Sequence, residues 1–178
     1  MTYIAPLKRE QITDPELLDL MAQGEALGVP DDLFARLVAR APAQAKPLLR
    51  ALILSHAEGN VDHRLKEIIR IQLARFAQDP YFASLRSRRA REAGLTEDEI
   101  EAGCGDYEDA SCFTEAEKVA LRYADQMYLD PHKVDGELYA ELKSHFTEAQ
   151  VMELGAFIAF HYGMQMFMRT MGAEASAT

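Results

Sequence analysis

The chain has 178 residues, and 48% of them are hydrophobic, which is typical of a single globular domain. Its formal net charge of −10 repels phosphate backbones, so we expect no nucleic-acid partner. Cys104 and Cys112 are too few for a disulfide framework, and the N-terminal MTYIAPLKRE has no apolar signal core, so we expect a cytoplasmic protein.

Residues 1–60 predict an extended arm followed by three helices. The arm, residues 1–12, contains Pro6 and shows no hydrophobic periodicity. Capping residues and prolines then mark the helix starts, and glycine-containing breaks mark two of the ends. The helices are predicted from about residue 14 to 27, from 32 to 38, and from 42 to the Gly59-Asn60 pair.

Residues 62–94 predict a helical hairpin, on which the functional interpretation depends. Asp62 is a plausible N-cap, and apolar residues recur after it at helical spacing. The first helix should end near Gln78, because Pro80 disfavours a helical residue before it. We expect the second helix to begin at Pro80 and to end at Gly94.

The hairpin places polar residues next to apolar ones. Glu67 lies beside the apolar row of the first helix, and Asp79, Phe82 and Arg86 share one face of the predicted second helix. We therefore expect Arg86 to turn inward and to approach Glu67. An ordinary interhelical ion pair is the alternative interpretation of these two residues.

Three capping boxes predict the helices that follow. Thr96, Thr114 and Thr147 are each followed three residues later by Glu or Gln, which predicts helices at about 97–104, 115–129 and 148–171. A further helix is expected from Gly136 to Phe146. No stretch alternates as a strand would, so we expect an all-α fold of about eight helices in one domain, with residues 173–178 as a disordered tail.

The last helix is predicted to be buried and central. It has no charged residue from Leu154 to Met168, and this run is too short to span a bilayer. Within it, His161 and Gln165 lie one turn apart on an apolar stripe, where both polar groups need partners. Such a histidine is more often a hydrogen-bonded core residue than a catalyst.

The segments LKEIIRIQLA, AGLTEDEIE, FTEAEKVALRYADQM and FTEAQVMELGAFIAFHYGM resemble the carboxymuconolactone decarboxylase superfamily, which includes the AhpD-like proteins. The resemblance covers roughly residues 30–172. It implies a homo-oligomer, a trimer or hexamer, with sites near subunit contacts. The peroxidase branch has a Cys-x-x-Cys pair and a histidine at the positions of Asp79, Phe82 and Arg86, and none of these is retained. Its proton-relay glutamate corresponds to Glu67, which is retained.

The resemblance implies a cofactor-independent enzyme that transfers protons on a small carboxylated lactone or aromatic-derived metabolite. The decarboxylase branch also has a histidine at the position of Arg86, and this chain lacks it. Decarboxylation, isomerisation and elimination of water therefore all remain open. The predicted catalytic residues are Glu67, His161 and Tyr81. The predicted substrate-binding residues are Arg86, which would grip a carboxylate, with Phe82, Gln165 and Asp79.

Two other functions are weighed against this hypothesis. The chain could be a catalytically degenerate member that binds a small molecule or a partner protein, because every redox residue is replaced. A thiol peroxidase acting through Cys104 and Cys112 is the third interpretation. We expect no metal, since His56 and His63 lack further ligands nearby, and no nucleotide cofactor, since no phosphate-binding glycine motif occurs.

Overall fold

A computed structural model describes residues 2–174, and within that range it contains ten α-helices, two short 3₁₀ turns and no strand. The all-α prediction is confirmed. The helices are α1 (Pro15–Leu27), α2 (Asp32–Val38), α3 (Pro42–Ala57), α4 (His63–Phe76), α5 (Pro80–Ser84), α6 (Arg88–Glu92), α7 (Glu97–Gly103), α8 (Glu115–Leu129), α9 (Gly136–His145) and α10 (Glu148–Thr170).

Most helix starts follow from local hydrogen-bonding chemistry. The three predicted capping boxes form at Thr96, Thr114 and Thr147, where side chain and backbone satisfy each other's donors. Asp14 and Asp62 accept two backbone N–H groups each at the starts of α1 and α4. These short-range interactions explain why the boundaries of these helices could be predicted.

Helix α4 is the centre of the molecule. It buries 11 of its 14 residues, and it contacts α3, α5, α6, α7, α8 and α10. One apolar cluster combines α4 with α7, α8, α9 and the first half of α10. A second cluster combines α1, α2, α3 and α5 with the C-terminal end of α10. Four polar side chains of α4 are buried, with residue exposures of at most 1%: Lys66, Glu67, Arg70 and Gln72.

The second helix of the hairpin is broken, so the prediction of one continuous helix from Pro80 to Gly94 was wrong. α5 ends at Ser84, Leu85 is extended, and Ser87 caps a new helix by accepting from the Ala90 amide. Side chains of α4 bind the backbone groups that the break leaves open. Asp79, Phe82 and Arg86 consequently do not share one helical face.

Helix α10 is buried along one side only. Phe157, His161 and Gln165 face inward, whereas Met152 is 72% exposed and Phe167 is 42% exposed. The helix predicted to be buried and central therefore buries one face, and its opposite face is exposed in the single chain. No helix within residues 2–174 is long and apolar enough to cross a membrane.

Both ends of the described chain pack against the body. The amide of Tyr3 donates to the Met171 carbonyl at 2.9 Å, and Arg36 and Arg40 bind carbonyls of the N-terminal arm. Ala173 is only 2% exposed although it was predicted to begin a disordered tail. Residues 175–178 of that predicted tail lie outside the described residues.

Candidate active site

Glu67 forms a buried ion pair with Arg70, one turn further along α4. Arg70 Nε and Nη2 each lie 2.8 Å from a different Glu67 carboxylate oxygen, and both side chains are fully buried. Arg70 also donates to the carbonyls of Phe82 and Leu85, at 2.7 Å and 2.8 Å, and Glu67 Oε1 accepts from the Ser87 amide at 2.7 Å. The pair therefore holds the break between α5 and α6 in place.

Arg86 does not meet Glu67, so that predicted pair was wrong. Its guanidinium binds Glu97 at 2.9–3.1 Å, and Nη1 donates to the Ala83 and Leu85 carbonyls. The Glu97 side chain is 58% exposed, so this is a surface ion pair. The backbone is extended at Leu85, and the Arg86 side chain, which is 14% exposed, reaches Glu97 on α7.

Ser87 connects Glu67 to the first of three clustered histidines. His63 Nδ1 lies 2.7 Å from the His56 carbonyl oxygen, which can only accept, so Nδ1 carries the proton. Burial lowers the pKa of His63, which favours the neutral ring. Nε2 is then an acceptor, and the Ser87 hydroxyl donates to it at 2.7 Å.

His56 and His161 complete the histidine cluster. The His56 ring centroid lies 5.3 Å from that of His63 and 5.0 Å from that of His161, with edge-to-face geometry. Both residues are about 1% exposed, and burial holds their pKa values well below the ordinary value of 6.5. His161 Nε2 lies 3.0 Å from Ser55 Oγ, and His56 Nε2 has no hydrogen-bond partner among the described residues.

Two cavities lie on either side of the α3–α4 connection, next to this cluster. The apolar cavity, of about 400 Å³, is lined by Ser55, Phe157 and Phe160 with Ala51, Leu54, Glu58, Gly59, Glu153 and Ala156. The polar cavity, of about 250 Å³, is lined by His56, His63, Arg64, Lys66, Arg89 and Ala93 with residues 57–62. Glu58 and Gly59 border both cavities.

A second buried cation fixes the wall between the two cavities. Lys66 Nζ donates to the carbonyls of Ser55 and Glu58 and to Glu153 Oε1, at 2.7–3.0 Å. Glu153 in turn accepts from the amides of Asn60 and Val61. These bonds tie the end of α3, the connection and α10 together, so the cavity walls are held by charge-assisted hydrogen bonds.

The remaining predicted site residues are buried in the core. Tyr81 donates to Asp31, and burial raises the pKa of Tyr81 well above 10.0. Phe82 packs its ring against Phe34 and Tyr81, and Gln165 Nε2 donates to the Arg70 carbonyl at 2.8 Å. None of these side chains lines either of the two cavities.

Asp79 is buried at the start of α5, where it caps the helix. Its carboxylate oxygens accept from the Tyr81 and Phe82 amides at 3.2 Å and 3.3 Å. Burial nevertheless raises the pKa of Asp79 to about 6. Asp79 lines neither cavity, so its predicted contact with a substrate stays a prediction.

Residues 42–126 match the sequence profile of the carboxymuconolactone decarboxylase family. They include Ser55, His56, His63, Glu67 and Ser87. The matched region covers just under half of the chain. Together with the all-α fold around α4, this match supports the resemblance to the carboxymuconolactone decarboxylase/AhpD-like superfamily. No curated protein sequence matches this chain.

Solved structures with a similar fold align with nearly the whole chain. The apo debrominase Bmp8 aligns with a TM-score of 0.79 and 20% identity over 99% of this chain and 94% of its own. A cysteine-to-alanine variant of Bmp8 in complex with 2,3,4-tribromopyrrole aligns with a TM-score of 0.83, 21% identity and coverages of 99% and 93%. An AhpD-core, peroxidase-related protein from Ralstonia eutropha JMP134 aligns with a TM-score of 0.76, 15% identity and coverages of 98% and 92%.

Several residues near the two cavities were not singled out from the sequence. Arg70 could have been found from its i, i+3 spacing to Glu67. His56 follows Leu49, Leu52 and Ile53 at helical spacing, which marks the inner face of α3. Ser55 and Ser87 had no comparable signal, because their partners lie on other helices.

Proposed function

We propose that this chain is an enzyme that transfers protons on a small carboxylated lactone or aromatic-derived metabolite, and that Ser55 and His161 carry the transfer. The observation that supports it is their 3.0 Å hydrogen bond at the wall of the apolar cavity. A largely apolar cavity with a few converging polar groups is the usual setting of a small-molecule site. Decarboxylation, isomerisation and elimination share this proton-transfer step.

The Ser55 hydroxyl can relay a proton because it has two alternative acceptors. Its oxygen lies 3.0 Å from the Leu52 carbonyl and 3.0 Å from His161 Nε2. When the hydroxyl donates to His161, its oxygen can take a proton from a substrate in the cavity. Burial lowers the pKa of His161, so the ring is neutral and able to accept, and the same burial makes it a weaker base.

In this proposal Glu67 acts through other groups and does not contact substrate. Its carboxylate is enclosed by Arg70 and Ser87. Burial and the charges of His56 and Arg70 lower the pKa of His161. The Glu67 charge opposes them by raising that pKa. Glu67 therefore partly stabilises the imidazolium that forms when His161 accepts a proton. This assigns to Glu67 a positioning and electrostatic role, and the predicted role as the acid–base catalyst passes to His161.

The cavity suits a compact ligand with a hydrophobic body. Phe157 and Phe160 line it, and the Phe157 ring lies 4.1 Å from that of His161 between centroids. The structural relative Bmp8 binds 2,3,4-tribromopyrrole, a small halogenated ring. This likeness supports a ring-sized substrate for the present chain.

Thiol chemistry is a weaker alternative. The superfamily cysteine positions hold Asp79 and Phe82 here. Burial raises the pKa of Cys104 to about 11, so little thiolate exists at neutral pH, and Cys112 is exposed on the surface. We therefore expect the double variant Cys104→Ser/Cys112→Ser to keep the activity of the wild type.

Deuterium exchange tests the proposal whichever net reaction the enzyme catalyses. The protein is incubated in D₂O with a panel of small aromatic acids and lactones, and mass spectrometry follows deuterium uptake and product. We expect His161→Gln to lower the exchange rate by about 10²- to 10⁴-fold, because it removes the proton acceptor. Ser55→Ala should lower it as well, and the double cysteine variant is the matched control.

The second candidate is a protein that binds a small molecule without catalysis. It is favoured by the Glu67–Arg70 pair, because Glu67 is already bound by Arg70. Compounds of the panel that raise the melting temperature of the wild type without deuterium uptake or product would support binding alone. Exchange that survives both His161→Gln and Ser55→Ala would refute the assignment of these two residues.

A further inference from the structure

The polar cavity contains a cation that no carboxylate neutralises. Arg89 lies on α6, one turn of chain beyond the break, and its Nη1 donates to the Ala57 carbonyl at 2.9 Å. No ion pair involves Arg89 among residues 2–174, although most other arginines of the described chain have one. Its remaining N–H groups are free to bind a ligand beside His63, whose pKa the positive charge of Arg89 helps to lower.

The other cations of the cavity are already committed. Arg64 binds Glu99 and Glu117, and Lys66 binds Glu153. The wall also carries the acidic side chains Glu58 and Asp62. A phosphate dianion would need more than one free cation in such surroundings, whereas the planar fork of a single arginine matches one carboxylate.

Two histidines, His56 and His63, also line the cavity. His56 belongs to the wall, and its buried Nε2 has no partner within the described part of the chain. That nitrogen has almost no accessible surface, so it does not contact a ligand in the cavity. Arg89 is therefore the unpaired charged group that we assign to the volume of about 250 Å³.

We propose that the polar cavity is a binding site for a small monocarboxylate, held by the Arg89 guanidinium. The site lies across the α3–α4 connection from the apolar cavity. Binding there does not require that Ser55 and His161 are catalytic.

Acetate is the probe, and NMR of the His63 ring is the measurement. Sodium acetate replaces sodium chloride stepwise, so that the ionic strength stays constant. Inorganic phosphate is titrated in parallel in the same way. We expect saturable shifts of the His63 ring signals with acetate. Arg89→Gln should weaken the apparent affinity about tenfold or more, and Arg89→Lys should weaken it less, because the charge remains without the fork.

Arg88→Gln is the matched control. Arg88 is exposed, its substitution removes the same charge, and its side chain donates to the Glu25 carbonyl instead of facing the cavity. We expect the acetate affinity of this variant to equal that of the wild type. The proposal is overturned if acetate gives no saturable shift, if Arg89→Gln binds as well as Arg88→Gln, or if phosphate alone saturates the site.

Discussion

At the scale of single residues, the stability of this protein depends on the buried Glu67–Arg70 pair. Both side chains have no exposed surface, and they bind each other as well as backbone groups of Phe82, Leu85 and Ser87. Burying two charges is costly, so each depends on the other for compensation. A change at one partner therefore acts mainly by leaving the other unpaired.

Glu67→Gln should lower the free energy of unfolding by about 3–5 kcal/mol, because it leaves the Arg70 charge uncompensated in the core. Urea unfolding measures this change. Glu97→Gln is the control, since it removes the exposed partner of Arg86 and should cost less than about 1 kcal/mol. Equal losses in the two variants would show that burial does not decide the strength of these pairs.

Asp79 predicts a local dependence of stability on pH. Its folded pKa of about 6 exceeds the ordinary 3.8, so protonation favours the folded state. The stabilisation from its protonated form is complete below about pH 4 and is lost as the pH rises through 6. The free energy of unfolding is thereby lowered by up to about 3 kcal/mol at pH 7. Asp79→Asn keeps a capping oxygen and should be more stable than wild type at pH 7 but not at pH 4, by urea unfolding at both values. A variant that is destabilised at pH 7 would contradict this account.

At the scale of elements, the α3–α4 connection depends on one glycine. Gly59 has a φ of +105°, and a Cβ there would overlap the Glu153 carboxylate. A larger residue must displace this carboxylate, which binds Lys66 and the amides of Asn60 and Val61. The wall that separates the two cavities would lose its support.

Gly59→Ala should therefore destabilise the protein beyond the cost of its backbone conformation. Gly94→Ala isolates that cost, since Gly94 has a φ of +95° and no atom within 4 Å of the added Cβ. We expect Gly94→Ala to cost about 1–2 kcal/mol and Gly59→Ala at least about 2 kcal/mol more, by thermal or urea unfolding. Similar losses would mean that Glu153 moves aside freely.

The break between α5 and α6 shows where element-scale prediction from sequence reaches its limit. Pro80 begins α5 as predicted, and Gly94 has the positive φ expected of a residue that follows a helix end. Nothing in the sequence LRSRR forbids a helix. The break is stabilised by Arg70 and Glu67, which bind the Leu85 carbonyl and the Ser87 amide from another helix.

At the scale of the whole molecule, the three clustered histidines predict sensitivity to acid. Burial lowers the pKa values of His56, His63 and His161 in the folded state below the unfolded value of 6.5. The unfolded chain therefore binds more protons below about pH 6.5. The stabilising contribution of the cluster is present above that pH and is lost as the pH falls.

The free energy of unfolding should decrease from pH 7 to pH 5, by up to about 1.4 kcal/mol per pH unit for each histidine that titrates only on unfolding. Asp79 opposes this trend between about pH 4 and pH 6, so the decrease should be steeper in Asp79→Asn. His161→Gln should flatten it, whereas His145→Gln, at an exposed position, should not. A profile that rises towards acid would refute the buried, neutral state of the cluster.

The sequence by itself determined the helical class, most helix boundaries and the retained Glu67, because these depend on capping groups and on periodicity within a few residues. Only the tertiary structure decided that Arg70 is the partner of Glu67, that Arg86 faces Glu97, and that histidines from α3, α4 and α10 meet. Those contacts join residues up to 106 positions apart, as Ser55 and His161 show. Their geometry depends on how the helices pack around α4, which no pattern within a few residues of the sequence records.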